Sequence, residues 1–366
     1  MARIDLEGIA HSYLENPSTA HDYALKELNH TWDDGGAYAL LGPSGCGKTT
    51  LLNIISGLIT PTRGRVLFDG EDVTELATER RNIAQVFQFP VIYDTMTVFE
   101  NLAFPLKNRG VGAGDIDTRV REIAAMLELE DALGRRARGL TADAKQKISL
   151  GRGLVRADVN AILFDEPLTV IDPHLKWQLR SQLKQLHRQF DFTMVYVTHD
   201  QTEALTFADK VVVMFEGEMV QIGTPEELFE RPVHTFVGYF IGSPGMNVLP
   251  CQVKGNRAII ETHEVVLNRT YPDLGQARIE FGARPEFIAF CDDEFGHPVV
   301  VNRIEDVGRQ KIARVALGAE ELKIVLAEDA DISDENARIV FDPDRVNIYA
   351  DGYLVEGEPT SALGGA

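Results

Sequence analysis

The chain has 366 residues, 44% hydrophobic and 25% charged, with a formal net charge of −20. That acidity argues against a nucleic-acid partner, which needs a Lys/Arg excess, and against a polybasic membrane anchor. No run of about 18 apolar residues suggests a spanning helix, and "MARIDLEGIAHSY" has no apolar core of the secretory type. Three cysteines (Cys46, Cys251, Cys291) form no metal-ligand pair and no disulfide framework, which fits a reducing cytoplasm.

In chain order, "GAYALLGPSGCGKTT" (36–50) reads as an apolar strand entering a glycine-rich turn, and "LLNIISGLI" as the helix after it. "GRVLFDGEDVT" alternates like a strand closing on Asp69-Gly70, and "RNIAQVFQ" is another strand. Ile116, Val120, Ile123, Ala124 and Leu127 share one face and predict a helix over 115–133. "NAILFDEP", "TMVYVTHD" and "DKVVVMF" read as strands. Between the first two, Leu175, Leu179, Leu183, Leu186 and Phe190 form a helical stripe, with Asp172 suited to the N-cap and Pro173 to the first position. Strands alternating with helices predict an α/β fold with a largely parallel sheet.

The texture changes near residue 236. "HTFVGYFIGSPGMNVLP" reads as a helix end and a turn-rich crossing. Then come "RAIIET", "EVVLN", "ARIEFGA", "FIAFC", "KIARVAL", "ELKIVLA", "ARIVFD" and "RVNIYA", short strands that predict a small all-β barrel or sandwich. The tail "EGEPTSALGGA" is expected to fray.

Residues 42–49 fit G-x-x-x-x-G-K-[ST]. Glycines let backbone N–H groups turn toward phosphate oxygens, and the following helix aims its positive N-terminus at the same anion. Lys48 would reach the β- and γ-phosphates, and the Thr49 hydroxyl would ligate Mg²⁺. Asp165 and Glu166 close a buried strand, at the edge where parallel sheets bind ligands. Asp165 would hold Mg²⁺, and Glu166 would act as general base on water. His199, after "MVYVT", suits a γ-phosphate contact. Gln88 suits a neutral Mg²⁺ or water ligand, and Tyr13 an adenine stack.

With the phosphate loop, Gln88, Asp165-Glu166, Asp172 and His199 in this order, the chain resembles the ATPase subunits of ABC transporters over nearly its whole length. The resemblance implies a Walker A loop (Gly42, Pro43, Ser44, Gly45, Cys46, Gly47, Lys48, Thr49, with Thr50 following), a Q-loop at Gln88 and a Walker B strand at 162–165. It also implies a catalytic Glu166, a D-loop from Thr169 to Asp172, a switch histidine at His199 and an adenine-stacking Tyr13. ATP and Mg²⁺ follow as cofactors. Residues 1–237 would form the nucleotide-binding domain, with a helical subdomain at about 89–158. Residues 238–366 resemble the OB-like (TOBE) regulatory domain of carbohydrate-importer ATPases, with "IGSPGMNVLP" and "GARPEFIAF" as landmarks. Overall likeness is greatest to the second ATPase of proteobacterial glycerol importers. A sugar or glycerol phosphate importer is the alternative, as is a P-loop ATPase without a membrane partner. The implied partners are a second, different ATPase subunit, two permease subunits docking near residues 89–106, and a periplasmic solute-binding protein reached through the permeases. The implied location is the cytoplasmic face of the bacterial inner membrane.

One stretch departs from the family. In "GLTADAKQKISLGRGLVR" (139–156), where the family has Leu-Ser-Gly-Gly-Gln to grip a partner's ATP, this chain has Leu140, Thr141, Ala142, Asp143 and Ala144. Ala142 adds a Cβ where backbone must approach closely. Asp143 offers a carboxylate where a γ-phosphate is expected; at ~4–6 Å and an effective dielectric near 20 the repulsion is about 3–4 kcal/mol per unit charge before screening. Alternatively Asp143 N-caps the helix. The resemblance therefore implies an asymmetric pair in which this chain's signature is weakened. Gly151 and Gly153 stand where the family has alanine, which suggests close packing against a neighbour.

Overall fold

The computed structural model describes residues 1–169, 171–308, 310–330 and 336–360, which divide into two units, Met1–Pro225 and the chain from Glu226 onward. The first begins with β1 (Ile4–His11), β2 (Leu25–Trp32), β3 (Ala37–Leu41), α1 (Lys48–Ser56), β4 (Arg63–Phe68), β5 (Glu71–Asp72) and β6 (Ala84–Val86). Three helices follow: α2 (Val98–Lys107), α3 (Ala113–Met126) and α4 (Ala142–Leu154). The core then resumes with β7 (Ile162–Asp165), α5 (Pro173–Phe190), β8 (Met194–Thr198), α6 (Gln201–Phe207), β9 (Lys210–Phe215) and β10 (Glu218–Gly223).

One sheet, ordered β2-β1-β4-β5, is antiparallel. The other is ordered β10-β9-β3-β8-β7-β6 and is parallel except for β10. β3 and β8 are buried along their whole length, as a parallel sheet covered on both faces requires. Leu51, Leu52, Ile54 and Ile55 of α1 share a core with Leu40, Leu163 and Val195. Each such side chain contributes about 1.5–3 kcal/mol on burial. The register sets Leu41 opposite Thr198 and Asp165 opposite Val197, so the C-terminal ends of β3, β7 and β8 form one row.

The stripe expected over 115–133 is buried as read, but α3 stops at Met126. Glu128 takes a left-handed φ of 56° and ends the helix. The turn lets both Leu127 and Leu129 enter the core, and aims the Glu128 carboxylate at Lys147, Gln178 and Gln182. Asp172 caps α5 as expected, accepting from the His174 N–H at 3.0 Å, with Pro173 in the first turn. β6 ends at Val86, so Gln88 lies in the loop beyond it.

α4 explains its two glycines. A Cβ on Gly151 would lie 2.5 Å from Leu102 Cδ2 and 3.1 Å from Leu127 Cδ1, and one on Gly153 would lie 2.8 Å from Val86 Cγ2. The helix gives up about 1 kcal/mol of propensity at each. In return it packs tightly on α2 and on β6.

The second unit is all-β apart from short helices such as Thr235–Phe240. All eight strands read from the sequence are present. Asn247–Pro250 and Val300–Asp306 are also strands, hidden by the proline turns of one and the weak alternation of the other. Ala258, Val265, Phe281, Val315, Ile324 and Ile348 make its core. Of the tail expected to fray, Glu358–Pro359 pairs with Arg269 and Thr270, while 361–366 lie outside the described residues. Arg284, of "GARPEF", is 2% exposed. Its guanidinium donates to the carbonyls of Leu228, Phe229, Gly238 and Ile241 and lies 3.9 Å from the Phe229 ring centroid. Burial pushes its pKa down to about 10.

Candidate functional site

The phosphate loop joins β3 to α1, as the motif requires. Two of its glycines are obligatory here. A Cβ on Gly42 would run into the Met214 carbonyl oxygen, and Gly47 has a φ of 100° with the Ala24 carbonyl 2.6 Å from where its Cβ would sit. Tyr13, Ser44, Gly45, Gly47, Lys48, Thr49, Thr50 and Glu166 line a cavity of about 370 Å³. Lys48 folds back onto its own loop, donating to the Gly42 and Pro43 carbonyls at 2.8 and 2.9 Å. Its Nζ also lies 3.7 Å from the buried Cys46 thiol, which burial keeps above its ordinary pKa. Tyr13 is 65% exposed, with its hydroxyl 3.0 Å from Thr50 Oγ1, and its ring meets His11 edge-on.

Across the cavity mouth, Thr49 Oγ1 donates to Asp165 Oδ1 at 3.2 Å. Burial raises the pKa of Asp165, with the adjacent Glu166 charge adding to it; the Thr49 hydrogen bond and Lys48 oppose the rise. Glu166 sits at a left-handed φ of 46°, and its N–H donates to the Val197 carbonyl, which aims its side chain out of the strand end. Its Oε1 is 3.1 Å from His199 Nδ1; its Oε2 accepts from Thr169 Oγ1 at 3.2 Å and from Gln88 Nε2 at 3.5 Å. Three side chains, from the loop after β6, the turn after β7 and the end of β8, therefore meet at one carboxylate. Gln88 and His199 reach the site through Glu166. Asp172 is exposed at the α5 cap, and Val170 of the D-loop lies outside the described residues.

The departing stretch is a well-formed helix start. Thr141, not Asp143, is the N-cap of α4, with Oγ1 accepting from the Ala144 N–H at 3.3 Å. The cap residue must sit outside the helix with extended backbone, and Thr141 has that conformation; Asp143 is already helical. Asp143 is half-buried in the first turn, and its Oδ1 is closed off from solvent without a hydrogen-bond partner among the described residues. Leu140, Ala142 and Ala144 complete the stretch and lie outside the phosphate-loop cavity.

An ABC transporter family profile matches residues 25–169. The sn-glycerol-3-phosphate import ATP-binding protein UgpC of Escherichia coli (strain K12) is 40% identical over 331 residues, covering 89% of this chain and 91% of that protein. This chain is an ABC transporter ATPase. The UgpC of Shigella boydii serotype 4 (strain Sb227) matches to the same extent. Among solved structures, cbiO1 from Clostridium perfringens, part of the ABC transporter complex cbiONQ, superposes with a TM-score of 0.56 at 25% identity. It covers 62% of this chain and 90% of that one. As an ABC ATPase the chain binds ATP and couples its hydrolysis to import. Among the described residues no helix is long and apolar enough to cross a membrane.

Sequence reasoning missed part of the site's support. Gln146 is fully buried and donates to the Pro167 carbonyl at 2.6 Å, bracing the turn after Glu166 from α4. Glu203 was also missed. "DQTE" fits a capping box, which predicts a surface carboxylate reaching back to Asp200. Instead the Asp200 N–H goes to Thr198 Oγ1 and Glu203 turns inward.

Proposed function

We propose that this chain is the hydrolytic motor of a glycerol importer, working as one half of an asymmetric ATPase pair at the cytoplasmic face of the inner membrane. The observation that carries the motor reading is Glu166, gripped by His199, Gln88 and Thr169 at the mouth of the phosphate-loop cavity. Lys48 leaves its loop carbonyls for the β- and γ-phosphate oxygens when ATP enters, exchanging neutral acceptors for charged ones. Tyr13 releases Thr50 and stacks on adenine. Glu166 takes a proton from water as the oxygen bonds to the γ-phosphorus and the bond to the β-phosphate oxygen breaks, leaving ADP and phosphate. His199 holds Glu166 and reports the γ-phosphate.

Thr49 and Asp165 present hard oxygen donors 3.2 Å apart, and a half-buried carboxylate whose pKa is raised is one that a cation would relieve. They fit Mg²⁺, with Gln88 as a neutral neighbour; bound there, the ion would neutralise phosphate charge. Residues 1–237 act as the nucleotide-binding domain, with 89–158 as its helical subdomain, and 238–366 as an OB-like regulatory domain. Permease subunits dock near 89–106, where Phe89, Val91 and Tyr93 are exposed beside a cavity of about 270 Å³ lined by Val91, Pro105 and Arg152. A solute-binding protein is reached through them.

Asymmetry rests on Asp143. A carboxylate in the first turn of α4, whose Oδ1 has no hydrogen-bond partner among the described residues, would repel the γ-phosphate of a partner's ATP, while this chain's own phosphate loop and Glu166 are intact. The relatives' names point to sn-glycerol 3-phosphate as solute, whereas the glycerol reading rests on overall likeness to the second ATPase of glycerol importers. Solute choice belongs to the binding protein and permeases, so the test is solute-stimulated ATPase activity of the whole complex. Glycerol is expected to raise turnover several-fold over a disaccharide. Stimulation by sn-glycerol 3-phosphate alone assigns the relatives' solute. Stimulation by neither, or a chain that purifies without permeases, overturns the importer reading for this solute class.

A further inference from the structure

Glu203 is a carboxylate that hydrolysis does not use, and its side chain is only 4% exposed. Its Oε2 accepts from Tyr196 Oη at 3.0 Å and from Thr198 Oγ1 at 2.9 Å, and its Oε1 lies 3.3 Å from Lys176 Nζ. The donors come from two elements. Tyr196 and Thr198 lie on β8, immediately before His199. Lys176 is on α5, four residues beyond Asp172. Thr198 Oγ1 also accepts from the Asp200 N–H at 3.0 Å, and Asp200 caps α6 through the Thr202 and Glu203 N–H groups. His199 is thus flanked on both sides by residues whose hydrogen bonds lead to one buried carboxylate.

We propose that Glu203 and Lys176 are positioning residues for ATP hydrolysis. They hold the His199 segment so that its ring meets Glu166, and they tie that segment to the helix that begins at the D-loop. The proposal rests on the reading of Glu166 and His199 as the hydrolytic pair. A buried ion pair is weak support for stability, because desolvation offsets most of the attraction. Its effect lies in geometry. Glu203 fixes where β8 hands over to α6, and Lys176 makes the α5 position part of the same constraint. A misplacement of about 1 Å at a reacting group is enough to slow turnover by about 100-fold.

The test uses the full-length chain in its assembled importer. Lys176→Met is expected to lower kcat about tenfold with KM for ATP within about twofold, because the phosphate loop is untouched. In the full-length chain it shifts the imidazole ¹⁵N resonance of His199, assigned by its loss in His199→Ala. Lys176→Arg restores both. Glu203→Gln gives the same kcat loss if it folds; Lys176, at the edge of the network, keeps the test open if it does not. Wild-type kcat and an unmoved His199 resonance in Lys176→Met overturn the proposal. So does a fall in kcat that only tracks a lower melting temperature. Should His199→Ala itself turn over at the wild-type rate, the hydrolytic pair is wrong; should His199→Ala be slow and Lys176→Met normal, only the positioning role fails.

Discussion

Replacing Glu166 with Gln leaves ATP bound and stops its hydrolysis. The amide keeps the size of the side chain and can still face His199, Gln88 and Thr169, which hold the carboxylate at 3.1–3.5 Å. It cannot accept the proton of the attacking water. Loss of a general base costs about 10²–10⁴-fold, and the low end of that range already abolishes transport. On the proposed reading, nucleotide affinity comes from Lys48, the loop N–H groups and Tyr13, none of which the substitution alters. Rapid-quench turnover together with nucleotide retention measures both quantities. A variant with normal steady-state turnover would remove Glu166 from the mechanism.

Replacing Arg284 with Ala unfolds the second unit at markedly lower temperature. Four carbonyls lose a charged donor at once, and the Phe229 ring loses its cation. A buried acceptor left unsatisfied costs about 1–3 kcal/mol, so a loss of about 3–4 kcal/mol is expected even with water replacing some partners. Lys does not rescue, because one ammonium cannot span acceptors at Leu228, Phe229, Gly238 and Ile241. Calorimetry of the intact chain should show an early transition for the second unit, with the phosphate-loop unit melting where it did before. A change below about 1 kcal/mol would mean that these bonds are readily replaced by solvent.

The sequence made the phosphate loop legible because its chemistry depends on backbone conformation, and glycine at fixed spacing is its visible trace. Asp165 and Glu166 were legible from their place at a strand end, and the α5 stripe from its period. Charged residues that turn inward were not. Glu203 and Arg284 are written like surface residues, and only the tertiary partners Lys176, Tyr196 and the four carbonyls make their burial tolerable. The end of α3 was misplaced for a related reason. The periodic stripe continues to Leu127, but Glu128 adopts a left-handed turn to reach Lys147, Gln178 and Gln182, contacts that no local pattern encodes. Gly151 and Gly153 suggest close packing from sequence alone, but the neighbours that demand it, Leu102, Leu127 and Val86, are distant in the chain.

The asymmetric pair is tested most directly by the ATP turnover of this chain purified alone, as wild type and as Asp143→Gly. Alone, every site the chain can form must use its own signature stretch, and on the proposed reading that sets Asp143 against the γ-phosphate. The account predicts slow turnover for the wild type and a rise of about tenfold for Asp143→Gly, the size expected when a repulsion that solvent has screened to about 1.4 kcal/mol is removed. Full-rate turnover by the wild-type chain alone, unchanged in Asp143→Gly, would contradict it.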